Sequence, residues 1–226
     1  MSTVNSTTFD EQYFQVVKPG SLAERLLRTA RQNIYKDFIR HCRPDSTMTI
    51  LDVGVSDVVN DASNFLEQNH TQPGQITAAG IGSGRGVAEA YGLAGFVQIE
   101  PNAPLPFEDK QFDIATSNAV IEHVGSRDKQ RAFYAELSRV AKQVFLTAPN
   151  RYFPVEHHTA IPLMHYWRPT FTLACKTLGK DEWLDPENLI LTGIDDLRRL
   201  NPAGRVGYTG LALGPFSSNM YIHSVG

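Results

Sequence analysis

Between residues 47 and 150 the apolar positions cluster in runs of strand length. They fall at Thr49–Val53, Gln75–Ile81, Gly95–Ile99, Phe112–Ser117 and Gln143–Ala148. Strands buried on both faces read this way, as continuous apolar runs without alternation. The segments between them carry helical spacing or turn residues. Val58–Gln68 predicts a helix, Gly82–Tyr91 a loop and short helix, and Lys129–Ala141 a helix with Phe133, Leu137 and Val140 on one face. Strands alternating with helices predict an α/β fold with a mostly parallel sheet and helices on both faces. Upstream, Leu22, Leu26, Ala30, Ile34 and Phe38 mark Ser21–His41 as an amphipathic helix, opened by a Ser21/Glu24 capping box. Downstream, Gly207–Leu213 and Ser218–Ser224 flank Gly214-Pro215-Phe216 and predict an antiparallel hairpin.

Bulk composition narrows the class. The 226 residues with 42% hydrophobic content suit one domain with a sizeable core. Within it, residues 1–46 read as an N-terminal helical lid and residues 151–205 as an insertion over the carboxyl edge of the sheet. Met1–Thr8 is polar and expected to be disordered. A net charge of −3 with no basic block argues against a nucleic-acid partner. Cys42 and Cys175 stand far apart, outside any CxxC pattern, and read as reduced thiols. No apolar run approaches a membrane span of roughly 20 residues, and no signal-peptide core is present. A cytoplasmic protein is the expectation.

Five motifs in order carry a likeness. They are ILDVG at Ile50–Gly54, the strand ITAAGI, PLPFEDKQFD at Pro104–Asp113, SNAVIEHV at Ser117–Val124 and VFLTAPN at Val144–Asn150. Over residues 47–150 the chain resembles the class I S-adenosylmethionine-dependent methyltransferases, closest to their small-molecule and sugar branch (methyltransferase domain family 11). That resemblance implies a Rossmann-like seven-stranded sheet with one antiparallel strand near its end. It implies S-adenosylmethionine as cofactor. The implied reaction is methyl transfer to a hydroxyl or amine of a small-molecule or glycan-like acceptor.

The resemblance also assigns residues. Asp52 and Gly54 would hold the methionine part of the cofactor, a carboxylate suiting an ammonium and a glycine leaving room for it. Ser56 and Asp57 follow in a loop poorer in glycine than the family's, with Asp57 able to cap the next helix. Gly82 stands where the family has an acid on the ribose hydroxyls. Restoring an acid there is expected to tighten binding, unless Glu89 or a backbone group already serves. Glu100 or Asn102 would meet the adenine, while Ser117 and Asn118 would lie below the transferred methyl. His123 reads as packing. After the fifth strand, Glu156 and His158 are the expected catalytic pair, with histidine as base and glutamate holding its tautomer. Glu156, His157 and His158 could in principle bind a metal, but adjacent side chains rarely converge, so none is expected. His165, Tyr166, Trp167, Arg168, Phe171 and Trp183 read as a lid with some acceptor contact. The rival reading is a non-catalytic or regulatory binding protein on a degenerate methyltransferase scaffold. An NAD or nucleotide-sugar oxidoreductase would want GxGxxG after the first strand, and DVGVSDV is not that.

Overall fold

The computed structural model describes residues 22–59, 64–84 and 86–226. The capping serine Ser21 and the segment Met1–Thr8 lie outside them. The elements in chain order are α1 (Leu22–Cys42), β1 (Ile50–Val53), α2 (Phe65–Asn69), β2 (Ile76–Gly80), α3 (Val87–Tyr91), β3 (Gly95–Gln98) and β4 (Phe112–Asn118). Then follow α4 (Arg127–Val140), β5 (Ala141–Pro149), α5 (Arg168–Leu178), α6 (Ile194–Leu200), β6 (Arg205–Leu213) and β7 (Phe216–Val225). All seven strands share one sheet, in the order β3-β2-β1-β4-β5-β7-β6. The pairs β1–β2, β1–β4, β2–β3 and β4–β5 are parallel, whereas β7 runs antiparallel to both β5 and β6. This is the α/β sheet that the apolar runs predict, terminal hairpin included.

Period-2 alternation sorts each strand onto two faces. Ile50, Ile114 and Phe145 pack with Phe38 and Cys42 of α1 on one side. Leu51, Val53, Val144 and Leu146 pack with Leu137 of α4 and Leu197 of α6 on the other. Of the apolar stripe read along α1, Ala30 and Phe38 are buried, whereas Leu26 is exposed.

One predicted helix differs from expectation. Of Val58–Gln68, residues 60–63 lie outside the described part, Val58, Val59 and Asn64 are not helical, and α2 begins at Phe65. The cause is Asn64. Its amide donates to the Ser56 carbonyl at 2.8 Å, and its carbonyl oxygen accepts from the Ser56 N–H at 3.1 Å. The Ser56 hydroxyl in turn accepts from Val58 N–H. Such short polar side chains offer the backbone an alternative to helical hydrogen bonds. The chain after β1 is therefore a clasped loop, and Asp57 does not cap a helix.

The loop carrying Leu105 and Phe107 is fixed by Arg139 of α4. Its guanidinium donates to the Leu105 and Phe107 carbonyls and to the carboxylates of Asp109 and Glu136. Glu136 in turn accepts from Leu105 N–H.

Candidate functional site

In an open α/β sheet, ligands bind beyond the carboxyl ends of the strands where the strand order reverses. Here that point lies between β1 and β4. A cavity of about 520 Å³ opens there. This is within the range of pockets that enclose small ligands. Gly54 and Val55 after β1, Gly80 and Gly82 after β2, Glu100 and Asn102 after β3, and Asn118 to Val120 after β4 form its walls. Phe133 and Glu136 of α4 and the loop residue Leu105 complete it. Gly54 has φ +101°, and a Cβ there would overlap Val120. Glycine is thus demanded both by the backbone and by the cavity wall.

Of the expected cofactor residues, Gly54, Gly82, Glu100, Asn102 and Asn118 border this cavity, and Asp52, Ser56, Asp57 and Ser117 do not. Alternation accounts for Asp52. It shares the face of Ile50, so it turns toward α1 and α2 and is buried beside Glu67. Burial raises the Asp52 pKa well above the carboxylate range, the charge of Glu67 adds to this, and Arg31 opposes it. Glu67 is raised by burial too. Ser117 is fully buried and donates to the Val53 carbonyl. Ser56 is held in the Asn64 clasp.

Because both folded-state pKa values of Asp52 and Glu67 lie above their unfolded ones, the pair is most compatible with folding below about pH 4. Stability is lost as pH rises from there through the folded values. Glu67→Gln supplies an amide that donates to Asp52 at any pH. Its melting temperature is expected to fall less between pH 5 and pH 8 than that of the wild type. Identical declines would mean that the two acids are not coupled in folding.

Asp57 stands in an unexpected place. Its carboxylate accepts from Ser83 N–H at 2.9 Å and from the Ser83 hydroxyl at 3.3 Å. A Cβ built on Gly82 would lie 2.5 Å from the Asp57 carboxyl carbon. The end of β2 thus has an acid after all, delivered from the loop after β1.

The expected catalytic pair lies behind the cavity. Neither Glu156 nor His158 borders it; both surround a smaller crevice with Glu122 and Asn150. Glu156 is 4% exposed. It accepts from the backbone N–H groups of His158 and Thr159, from the Thr159 hydroxyl and from His158 Nδ1 at 2.8 Å. Burial disfavours its charge, but these donors and the His158 charge prevail and hold its pKa at about 2. His158 Nε2 faces His123 Nε2 at 3.1 Å, and His123 Nδ1 meets the Asn188 carbonyl at 2.6 Å. Burial, then the nearby His158 charge, depresses His123 to about 4. In His158, burial works against the charged form and Glu156 outweighs it, so its pKa is raised.

His123 alone of these three also borders the large cavity. The sequence left it as packing because its partner is 35 residues away. Glu122, its neighbour, went unnoticed. It is 1% exposed, and burial pushes its carboxyl up to about 7.

The aromatic stretch stands apart from the large cavity. Phe171 packs with Ile161 and Cys175, and His165 is buried. Trp167 is 65% exposed. Trp183 lies over His158 with ring centroids 5.0 Å apart. None of them borders the large cavity.

Comparison with known proteins agrees with this architecture. Residues 76–144 match the family described as a methyltransferase domain. No curated protein sequence matches the chain. Among solved structures, a SAM-dependent methyltransferase from Aquifex aeolicus is 16% identical with a TM-score of 0.56, covering 97% of this chain and 98% of that one. Magnesium protoporphyrin IX methyltransferase from Synechocystis PCC 6803, solved with bound SAH, is 15% identical with a TM-score of 0.57, covering 98% and 94%. A chain from the Haloferax volcanii complex between the Trm112 methyltransferase activator and a putative methyltransferase is 12% identical with a TM-score of 0.54, covering 90% of each. Residues 76–144 thus resemble a methyltransferase domain, and the fold as a whole is that of S-adenosylmethionine-dependent methyltransferases of known structure. Among the described residues, no helix is long and apolar enough to cross a membrane.

Proposed function

We propose that this domain binds S-adenosylmethionine in the 520 Å³ cavity and transfers its methyl group to a hydroxyl or amine of a small-molecule or glycan-like acceptor. The observation that carries the reading is the set of glycine-opened strand ends around that cavity. Gly54 admits the backbone close to the ligand, Glu100 and Asn102 offer acceptors for an adenine amine, and Asn118 lies at the end of β4 where the methyl would sit. Among the described residues lining the cavity, Lys129 alone carries a permanent positive charge. That favours an uncharged acceptor over a polyphosphate backbone. Residues 151–205 belong to the same single domain, and Glu156 and His158 act through His123 as positioning groups. Catalysis is chiefly alignment of donor and acceptor.

Asp57 does not itself line the cavity, but it takes the role of the ribose-side acid from behind Gly82, which does. The rival reading of a degenerate scaffold rested chiefly on the missing acid at Gly82, beside Ser56 and Val58 in the glycine-poor loop, and the Asp57 carboxyl fills the space at Gly82. Asp57→Ala is therefore expected to weaken S-adenosylmethionine binding by about 10–100-fold, the equivalent of roughly 1.5–3 kcal/mol for a hydrogen bond to a charged group. Gly82→Asp should weaken binding rather than tighten it, because it would press a second carboxylate onto the first. A tighter Gly82→Asp variant would remove Asp57 from this role.

The acceptor class is tested with tritiated S-adenosylmethionine and a panel of sugars, phenols, small amines, RNA and protein. Label on a small hydroxyl or amine supports the reading. Label on RNA or protein alone overturns it.

A further inference from the structure

Glu122, His123 and His158 bring three donor atoms together within 4.8 Å of one another. Two of them come from the turn after β4 and one from the loop after β5, so only the fold assembles them. The hydrogen bonds on the far side of each ring fix the tautomers. A backbone carbonyl only accepts, so His123 Nδ1, 2.6 Å from the Asn188 oxygen, carries a hydrogen. His158 Nδ1 faces the Glu156 carboxylate at 2.8 Å and carries one too. In their neutral forms both imidazoles therefore present a lone pair at Nε2, and these two atoms are 3.1 Å apart. Two facing lone pairs repel unless something positive lies between them, and two species can: a second proton on His158, whose pKa Glu156 raises, or a metal ion.

Glu122 supplies the second observation. One of its carboxylate oxygens is 3.9 Å from His123 Nε2 and 3.8 Å from His158 Nε2. Its side chain is buried, and neither oxygen has a hydrogen-bond partner. A buried carboxylate in that condition calls for a counter-charge, which a protonated His158 or a metal ion between the three groups supplies. A tetrahedral ion with bonds of about 2.0–2.2 Å separates its ligand atoms by roughly 3.3 Å, and the three distances bracket that spacing.

We propose that Glu122, His123 and His158 bind one divalent cation of the Zn²⁺ type through the two Nε2 atoms and a Glu122 oxygen. Imidazole with carboxylate suits Zn²⁺ and its transition-metal neighbours better than Mg²⁺ or Ca²⁺. Glu156 and the Asn188 carbonyl hold the rings from behind, the arrangement usual for metal-bound histidines. Three protein donors leave a coordination position open. His123 borders the cofactor cavity, so the metal and that cavity share a wall. The site requires neither bound cofactor nor turnover, and its failure would leave the cofactor reading intact.

The test uses the full chain, stripped with a chelator and dialysed. Calorimetry with Zn²⁺ should give one equivalent of tight binding. Loading with Co²⁺ should give the visible bands of a low-symmetry, nitrogen- and oxygen-ligated ion. Glu122→Gln and His158→Gln keep side-chain size and should weaken Zn²⁺ by about a hundredfold or more, beyond the 10–100-fold typical of losing a supporting group. If either variant fails to fold, the wild-type Co²⁺ spectrum decides. A wild type that takes up no stoichiometric Zn²⁺, or variants that bind it equally well, would overturn the proposal and leave a proton alone between the two rings.

Discussion

Gly54→Ala is expected to cost cofactor binding at least about tenfold and to lower the melting temperature. Two effects add. The residue sits at φ +101°, where a side chain costs roughly 1–3 kcal/mol. The new methyl would also overlap Val120, whose displacement deforms a wall of the cavity. For a domain of this size that strain corresponds to about 2–12 °C. Gly179→Ala provides the control. It has φ +65° at the end of α5, and a Cβ there meets nothing within 4 Å. It should lose some stability and keep its affinity. If both variants bind S-adenosylmethionine as the wild type does, Gly54 is a turn residue only.

The second large effect belongs to Glu156. Its carboxylate is almost fully buried and accepts from the backbone and side chains of both His158 and Thr159. Glu156→Ala is expected to destabilise the fold by about 3–5 kcal/mol, the usual result of leaving one member of a buried charged pair without its partner. The melting temperature should fall by roughly 6–20 °C. Glu156→Gln keeps the shape but supplies a single neutral oxygen, and it should fall between the two. Thermal unfolding followed by circular dichroism measures both. A loss below about 1 kcal/mol would mean that the loop after β5 is not anchored through this carboxylate.

The sheet was legible because its signal is local. Ile50–Val53, Ile76–Gly80 and Val144–Ala148 are apolar runs of strand length, and their burial on two faces follows from that alone. The hairpin announced itself through Gly214-Pro215 between two β-like runs. Other features depend on partners distant in sequence. At the start of the helix expected over Val58–Gln68, Val58 sits instead in the Asn64 clasp, which pairs residues eight apart. Asp57 was expected in the cofactor loop and able to cap a helix, and it reaches Ser83, 26 positions on. Asp52 lay correctly on β1, but alternation turns it away from the cavity and toward Glu67. His123 looked like packing inside IEHV and Glu122 drew no reading, since their meaning comes from His158. Alternation in β1 was available in the sequence and could have placed Asp52. The 35-residue gap between the two histidines was not readable without the fold.

The central claim is that the cavity beyond β1, β2 and β4 holds S-adenosylmethionine. Isothermal titration of the full chain with S-adenosylmethionine and with its demethylated product addresses it directly. One equivalent of each should bind, with affinity weakened about 10–100-fold in Asp57→Ala. The absence of heat with either compound at about millimolar concentration, in a chain whose unfolding remains cooperative, would contradict it.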